Sequence, residues 1–316
     1  MMDFANALPY ITVALAVGIN SVGTGLGEGW TFKEAIDAIN IQPKALVDIT
    51  KLALLGTALV ETAAILGLTM SIILLFGMPK TMSVPNSLAQ LGIIAAICLT
   101  GLVVGLVSSF PVIASCRAVA RQPFFADKIM RLMLVTQAII QTPIIFGFII
   151  ALFIRNQAAT VLSLAEGLRL AAAGIALGLG SIGPAIGLAV YAYAACYSLG
   201  INKEAYGRIF SFSFVSQAII ETPIIFALVV SLLLVALSSG DSIVKGVAML
   251  GSAFCIGLCT IGPGVSSGNT AAAACYQMAF NQEMASPLSR MSMLAQGLVD
   301  TAAIYGLLIA ILLIIL

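Results

Sequence analysis

Histidine is absent from this chain of 316 residues, and charge is scarce: 9% of residues are Asp, Glu, Lys or Arg. A soluble domain usually carries about 25%. Without histidine there is no imidazole metal site and no imidazole acid–base catalyst. The six cysteines, Cys98, Cys116, Cys196, Cys255, Cys259 and Cys275, form no CxxC pair and fall in or near apolar spans. They are expected to be small packing residues rather than ligands or disulfides. No GxSxG and no GxxxxGK[ST] occurs, and the glycines of 23–29 lie inside an apolar span, so they do not form a phosphate loop. No run of basic residues suits nucleic acid, and the net charge of +1 selects no acidic partner. The first residues, MMDFANALPY, have no positive stretch followed by a cleavage site, and they read as mature chain.

What is present is hydrocarbon. Hydrophobic residues make up 61% of the chain and the mean hydropathy is +1.13. Apolar runs at 63–77, 142–154 and 222–238 sit inside longer apolar stretches. About 20 such residues span a bilayer as a helix. A soluble helical core would need a polar face to wet, and these runs have none.

The stretches are copies of one another. LGTALVETAAIL (55–66), TQAIIQTPIIFG (136–147), SQAIIETPIIFA (216–227) and AQGLVDTAAIYG (295–306) align on Glu61, Gln141, Glu221 and Asp300, spaced by 80, 80 and 79 residues. Thr62, Thr142, Thr222 and Thr301 follow them. Each copy begins with another apolar stretch, rich in small residues, and a short polar segment separates the two. The reading is all-α and transmembrane: eight helices as four tandem hairpins, at 1–80, 81–160, 161–240 and 241–316. Ten of the 14 basic residues lie in or beside the loops within hairpins. Only Lys80, Arg155, Arg169 and Lys245 lie in the joining segments. The positive-inside rule then puts the hairpin loops in the cytoplasm and both termini on the opposite side. Glycines crowd the first helix of copies one, three and four, where they let backbones approach. Copy two, with Gly92, Gly101 and Gly105, is expected to pack less closely.

Carboxylates in mid-span are expensive, at about 2.5–3.5 kcal/mol for Asp at the helix centre. Glu61, Glu221 and Asp300 stand at matched positions, and Glu28 adds a fourth acid in a first helix. Such a group carries a proton across hydrocarbon in its neutral form. With enough oxygens around it, it holds a hard cation such as Na⁺ instead. Gln141 does neither.

These residues resemble the rotor-ring proteolipid, or c-subunit, of F-type rotary ATP synthases and its V-type relatives. The likeness covers nearly the whole chain, four times over. ARQP (120–123) resembles the loop signature of that family and NIQP (40–43) is close to it, whereas INKE (201–204) and NQE (281–283) have drifted. The IGP of 182–184 and 261–263 resembles the first helix of the family. The resemblance implies a ring formed by self-association in membrane lipid, with first helices inside and second helices outside. It implies ion carriers at Glu61, Glu221 and Asp300, a silent equivalent at Gln141, and exchange of ions with the a-subunit of such machines. It implies central-stalk contacts at Gln42, Pro43, Arg121, Gln122 and Pro123, and residence in a bacterial inner membrane. It implies no catalytic site and no cofactor in this non-catalytic component. The transported ion is H⁺ or, alternatively, Na⁺, and no other metal is expected.

The supporting oxygens differ from copy to copy. Copy one offers Glu28 and Thr62 but Leu66 at the place where sodium-binding relatives have Tyr. Copy four offers Ser267, Thr301 and Tyr305. Copy three offers Thr222 but Leu188 and Phe226, a set poor in oxygen that favours H⁺. A V- or A-type proteolipid of an ATP-driven pump is the nearest alternative. A secondary transporter is further off, because such folds show inverted halves and broken helices, whereas these copies are direct repeats of even span number.

Overall fold

The computed structural model describes residues 2–77, 83–158 and 160–316. Met1, Lys80 and the first hairpin boundary lie outside the described residues. Eight helices are long and apolar enough to cross a membrane: α1 Ala7–Ile41, α2 Pro43–Phe76, α3 Val84–Arg121, α4 Pro123–Ala158, α5 Leu164–Ile201, α6 Lys203–Ala236, α7 Ile243–Phe280 and α8 Ala285–Ile315. Among the described residues there is no strand. The chain is all-α, in four hairpins.

Local chemistry sets the ends of these helices. Ser83, Ser163 and Ser242 cap α3, α5 and α7 by accepting from the backbone N–H three residues on. In the first two hairpin loops Pro43 and Pro123 open the next helix, where a missing N–H costs nothing. The other two loops lack proline. There the side-chain oxygens of Asn202 and Asn281 accept from the N–H groups of Glu204 and Met284, at 3.0 and 3.4 Å. The drifted loop sequences therefore make the same tight turn by a different device. The link between hairpins three and four turns at Gly240, whose φ of +58° is left-handed and suits glycine.

The helices form two layers. α1, α3, α5 and α7 pack side by side in that order as an inner layer, and the even helices pack in the same order against them. The inner layer is held by backbone-to-backbone contact. A Cβ placed on Gly27 would lie 2.4 Å from the Gly105 carbonyl oxygen, and one on Gly187 would lie 2.0 Å from that of Gly264. The expectation that copy two packs less closely is not met. A Cβ on Gly174 would lie 1.8 Å from the carbonyl oxygen of Gly92, so α3 meets α5 as tightly as the other pairs do. The approach is displaced along the helix: α3 has Val103 and Val107 where α5 has Gly183 and Gly187, and its glycine contact falls nearer its start. Three well-placed glycines do the work of a longer series.

The outer layer has a ladder of its own. Four residues before each acid position stand Thr57, Gln137, Gln217 and Gln296. The Gln137 amide donates to the carbonyls of Gly56 (2.8 Å) and Ser108 (3.0 Å), and that of Gln217 to the carbonyl of Thr136 (3.2 Å). Gln296 accepts from the hydroxyl of Ser216 at 3.1 Å. Each glutamine thus reaches back one hairpin to the residue five before the neighbouring acid position. Thr57, with no hairpin behind it, donates to Ala53 and Leu54 of its own helix.

At the loop end, charge and aromatic rings join the inner helices. Arg117 of α3 pairs with both carboxylate oxygens of Glu34 in α1, at 2.6 Å each, and donates to the Tyr193 hydroxyl in α5 at 2.8 Å. Arg121 donates to the Tyr197 hydroxyl at 2.8 Å and lies over that ring. The six cysteines are free thiols, and Cys98, Cys116, Cys196 and Cys275 are buried.

Two substitutions test these packings by chemical unfolding in detergent. Gly174→Ala forces α3 from α5 and should lower stability by about 1–3 kcal/mol, whereas Gly207→Ala, with nothing within 4 Å, should leave it unchanged or raise it. Gln217→Leu removes one interhelical donor and should lower stability by about 0.6–2 kcal/mol.

Candidate functional site

The three acids and Gln141 all stand on even helices, 18 residues after the loop positions Pro43, Pro123, Lys203 and Gln282. Equal spacing sets them at one level of the bundle. At Gln141 the backbone N–H turns to the carbonyl of Ala138, three residues back, whereas at Glu61 the bonds to Thr57 and from Ile65 keep the helical spacing. Pro143 and Pro223, two residues further on, each lack the N–H that would bond to the carbonyl four residues earlier.

The four stations differ in surroundings. Asp300 is only 6% exposed, and the Ser267 hydroxyl of α7 donates to its carboxylate at 3.2 Å. Glu221 is half-buried, and its carboxyl lies beside the hydroxyl of Thr142, which belongs to the preceding hairpin. Glu61 is exposed at the free edge of hairpin one. It lines one groove with the half-buried Glu28, one of whose carboxylate oxygens is enclosed without a hydrogen-bond partner in the protein. Gln141 is 4% exposed, and neither its amide oxygen nor its amide nitrogen finds a partner; the same holds for the hydroxyl of Ser108.

The hydroxyls that lie near the acids in sequence divide differently in space. Ser267 stands against the acid of its own hairpin. Thr222 and Thr301 turn back onto their helices, donating to Ala218 (3.1 Å) and Leu298 (2.7 Å). Thr62 is half-buried beside Glu61, and Tyr305 is 69% exposed on the outer edge of α8. In the loops, Pro43 and Arg121 are exposed and Gln42, Gln122 and Pro123 are half-exposed. Among the described residues no three His, Cys, Asp or Glu side chains converge as a metal site.

Two features escape a copy-by-copy reading of the residues. One is the glutamine ladder one helical turn before the acids, visible in the repeat alignment as Gln137, Gln217 and Gln296 but assigned no partner there. The other is the placement of Thr142 beside Glu221, which crosses from one hairpin to the next. The arrangement offers carboxylates at one depth: Asp300 and Glu221 each with one hydroxyl for company, and Glu61 sharing its groove with Glu28. Such groups bind and release a proton or a small hard cation, and nothing beside them supplies a nucleophile or a leaving-group acid.

The family model for the ATP synthase C-subunit matches four times, at residues 11–74, 91–154, 171–234 and 250–313. The ATP synthase c-subunit of Dehalococcoides mccartyi is 44% identical over 71 residues, which is 22% of this chain and 93% of the relative. The ATP synthase c-subunit of Gloeobacter violaceus is 40% identical over 79 residues, and that of a Synechococcus species 37% over 79, each match covering 25% of this chain and 96% of the relative. Each of those relatives thus corresponds to about one hairpin. With a matched segment in every hairpin and eight apolar helices to carry them, the chain belongs to the ATP synthase C-subunit family as an integral, multi-pass membrane proteolipid of four fused copies.

Proposed function

We propose that this chain is the rotor component of a rotary ATP synthase, in which copies of the chain close into a ring and carry H⁺ on Glu61, Glu221 and Asp300. The observation that carries the reading is the set of three carboxylates at one level of a fold that repeats the proteolipid hairpin four times. Ring closure is supported by the two edges of the inner layer. Gly25 and Gly29 have nothing within 4 Å, yet they lie 18 and 14 residues before the loop. Gly264 and Gly268 occupy those same positions in hairpin four, and there they receive the backbone of α5. On the opposite edge Gly262 is open, although its counterpart Gly183 is in backbone contact with α7. Each edge therefore has the shape that the other edge meets inside the chain.

In this reading the outer helices run against the a-subunit, which delivers and removes the ion. The cytoplasmic loops around Gln42–Pro43 and Arg121–Gln122–Pro123 meet the central stalk, and the termini lie across the membrane. The proton is favoured over Na⁺ because Glu221 has Leu188 behind it and the single hydroxyl of Thr142 beside it, too few oxygens to replace the hydration of a metal ion. Gln141 passes the a-subunit uncharged, so three ions cross per four hairpins. Fewer ions per turn at fixed energy per turn drive a steeper gradient, which favours an ATP-driven pump as the second reading.

Dicyclohexylcarbodiimide, which attacks protonated buried carboxyls, should modify Glu61, Glu221 and Asp300 in the isolated assembly, as located by mass spectrometry of its peptides. Absence of label at all three sinks the proposal. Gln141→Glu should add a fourth labelled position and raise the ions moved per ATP. Glu221→Gln should cut the protons moved per ATP in vesicle uptake by about a third, from three to two for every four hairpins, because the proton-accepting oxygen is lost while the side chain keeps its size.

A further inference from the structure

The loop end of the outer layer is finished differently at successive hairpin junctions. Between hairpins two and three, rings fill the space. Phe125 meets Tyr206 edge-on at 5.7 Å, and Tyr206 stacks on Phe210 at 5.4 Å. The Lys128 ammonium lies over Phe125 and Tyr206, at 5.0 and 5.4 Å. Counted from the loop, the same three positions one hairpin on are Ala205, Ala285 and Ser289. Three rings have given way to two methyl groups and a hydroxymethyl. A groove of about 490 Å³ opens there between α6 and α8, with Ala285 and Ser289 in its wall.

The groove has a charged rim and an apolar floor. Arg208 and Glu283 stand at the rim, both exposed, and Phe212, Val215 and Met293 lie further in. The two charges do not pair with each other. The Arg208 guanidinium donates to the Gln282 carbonyl, and among the described residues the Glu283 carboxylate meets no donor. Arg208 to Val215 is seven residues, about 10 Å along the helix. That fits within one leaflet, half of a hydrocarbon core of about 30 Å. Glu221 lies six residues beyond Val215, so the groove ends short of the acids. A volume of about 490 Å³ spread over about 10 Å has a cross-section of about 50 Å². A helix, 10–12 Å across, takes about 80 Å² or more. The groove is thus too narrow for a helix, and it has the charges of a headgroup where the spans meet the polar loops.

We propose that the junction of hairpins three and four is a binding site for one phospholipid with a zwitterionic phosphoethanolamine headgroup. Its phosphate sits on Arg208 and the Ser286 hydroxyl, its ammonium on Glu283, and an acyl chain along Phe212, Val215 and Met293. A guanidinium suits the phosphate oxygens. A primary ammonium donates charge-assisted hydrogen bonds to a carboxylate, which a quaternary ammonium cannot. An anionic headgroup would satisfy Arg208 and be repelled by Glu283. The site lies inside one chain and apart from the acids, so it stands whether or not copies close into a ring.

Native mass spectrometry of the full-length chain tests this. The protein is stripped of lipid in detergent and then supplied with equal amounts of dioleoyl phosphatidylethanolamine, phosphatidylglycerol and phosphatidylcholine. Phosphatidylethanolamine should be retained ahead of the other two, at one molecule per chain. Ala285→Tyr/Ser289→Phe writes the rings of Tyr206 and Phe210 into the next hairpin and should abolish that retention. Two exposed substitutions test the headgroup contacts without filling the groove. Glu283→Gln should erase the preference for phosphatidylethanolamine over phosphatidylglycerol, and Arg208→Gln should lower the retention of both. Phosphatidylglycerol held ahead of phosphatidylethanolamine by the parent overturns the proposal, as does retention that survives in the filled variant. If the filled variant does not fold, the headgroup variants decide, and selectivity unchanged in both overturns it. A parent that holds none of the three lipids also overturns it and leaves the groove to a protein neighbour.

Discussion

The contact on which the rest of this structure depends is backbone against backbone in the inner layer. Between lipid-soluble helices there is no hydrophobic drive to association, and close packing has to replace it. Gly27 against Gly105, Gly92 against Gly174 and Gly187 against Gly264 bring α1, α3, α5 and α7 together at distances that admit no side chain. The even helices carry leucine, isoleucine and phenylalanine and are correspondingly thicker. A layer of thin helices beneath a layer of thick ones sets the even helices at the periphery. There the acids meet whatever surrounds the bundle, while the inner layer keeps them at one level.

Given that scaffold, most hydroxyls in the span return to their own helix, while the glutamines one turn before the acid positions find their neighbours in the adjacent hairpin. Gln137 and Gln217 donate to carbonyls of the hairpin before them and Gln296 accepts from Ser216 of the hairpin before it. Thr142 lies beside Glu221 across the same kind of boundary. Such bonds are worth about 0.6–2 kcal/mol each in a bilayer, small singly, but they share one direction and so fix one register. At the loop end Arg117, paired with Glu34 and Tyr193, and Arg121, bonded to Tyr197, fix the same order of helices a second time.

Much of this is legible in the residues. The period of about 80, the two apolar stretches per period and the matched acids define eight helices in four hairpins, because repeats and hydrophobic length are properties of the string. What the string does not disclose is lateral. Ser267 can be paired with Asp300 by counting back from the loop, since both lie in one hairpin. Thr142 cannot be paired with Glu221 in that way, since hydroxyl and acid come from different copies and counting within a copy offers Thr222 instead. A glycine count misjudges the tightness of copy two for a related reason. The number of glycines says less than their position, and Gly92 meets Gly174 near the start of the helices rather than at the level where copies one and three concentrate theirs. The loops that lost proline show the converse case: Asn202 and Asn281 preserve a turn whose signature has gone.

Fusion itself has a consequence for the stations. A ring of identical single hairpins must treat every station alike, because one gene supplies them all and any change appears at every position around the ring. Four hairpins in one chain remove that constraint, and this chain has diverged at each: Glu28 beside Glu61, an unpartnered amide at Gln141, Leu188 behind Glu221, Ser267 bonded to Asp300. The amide is the most instructive. A carboxylate lost from a freely mixing pool of hairpins would leave some rings without enough carriers and others with a full set, whereas a fixed position in a fused chain places the neutral station at the same interval in every assembly. Gln141 keeps Thr142 and Pro143 after it and Gln137 before it, so the packing of α4 survives the change, and Thr142 continues to serve the acid of the next hairpin. The neutral station thus retains a structural duty towards its charged neighbour, which is a physical reason for the frame to persist when its charge is gone.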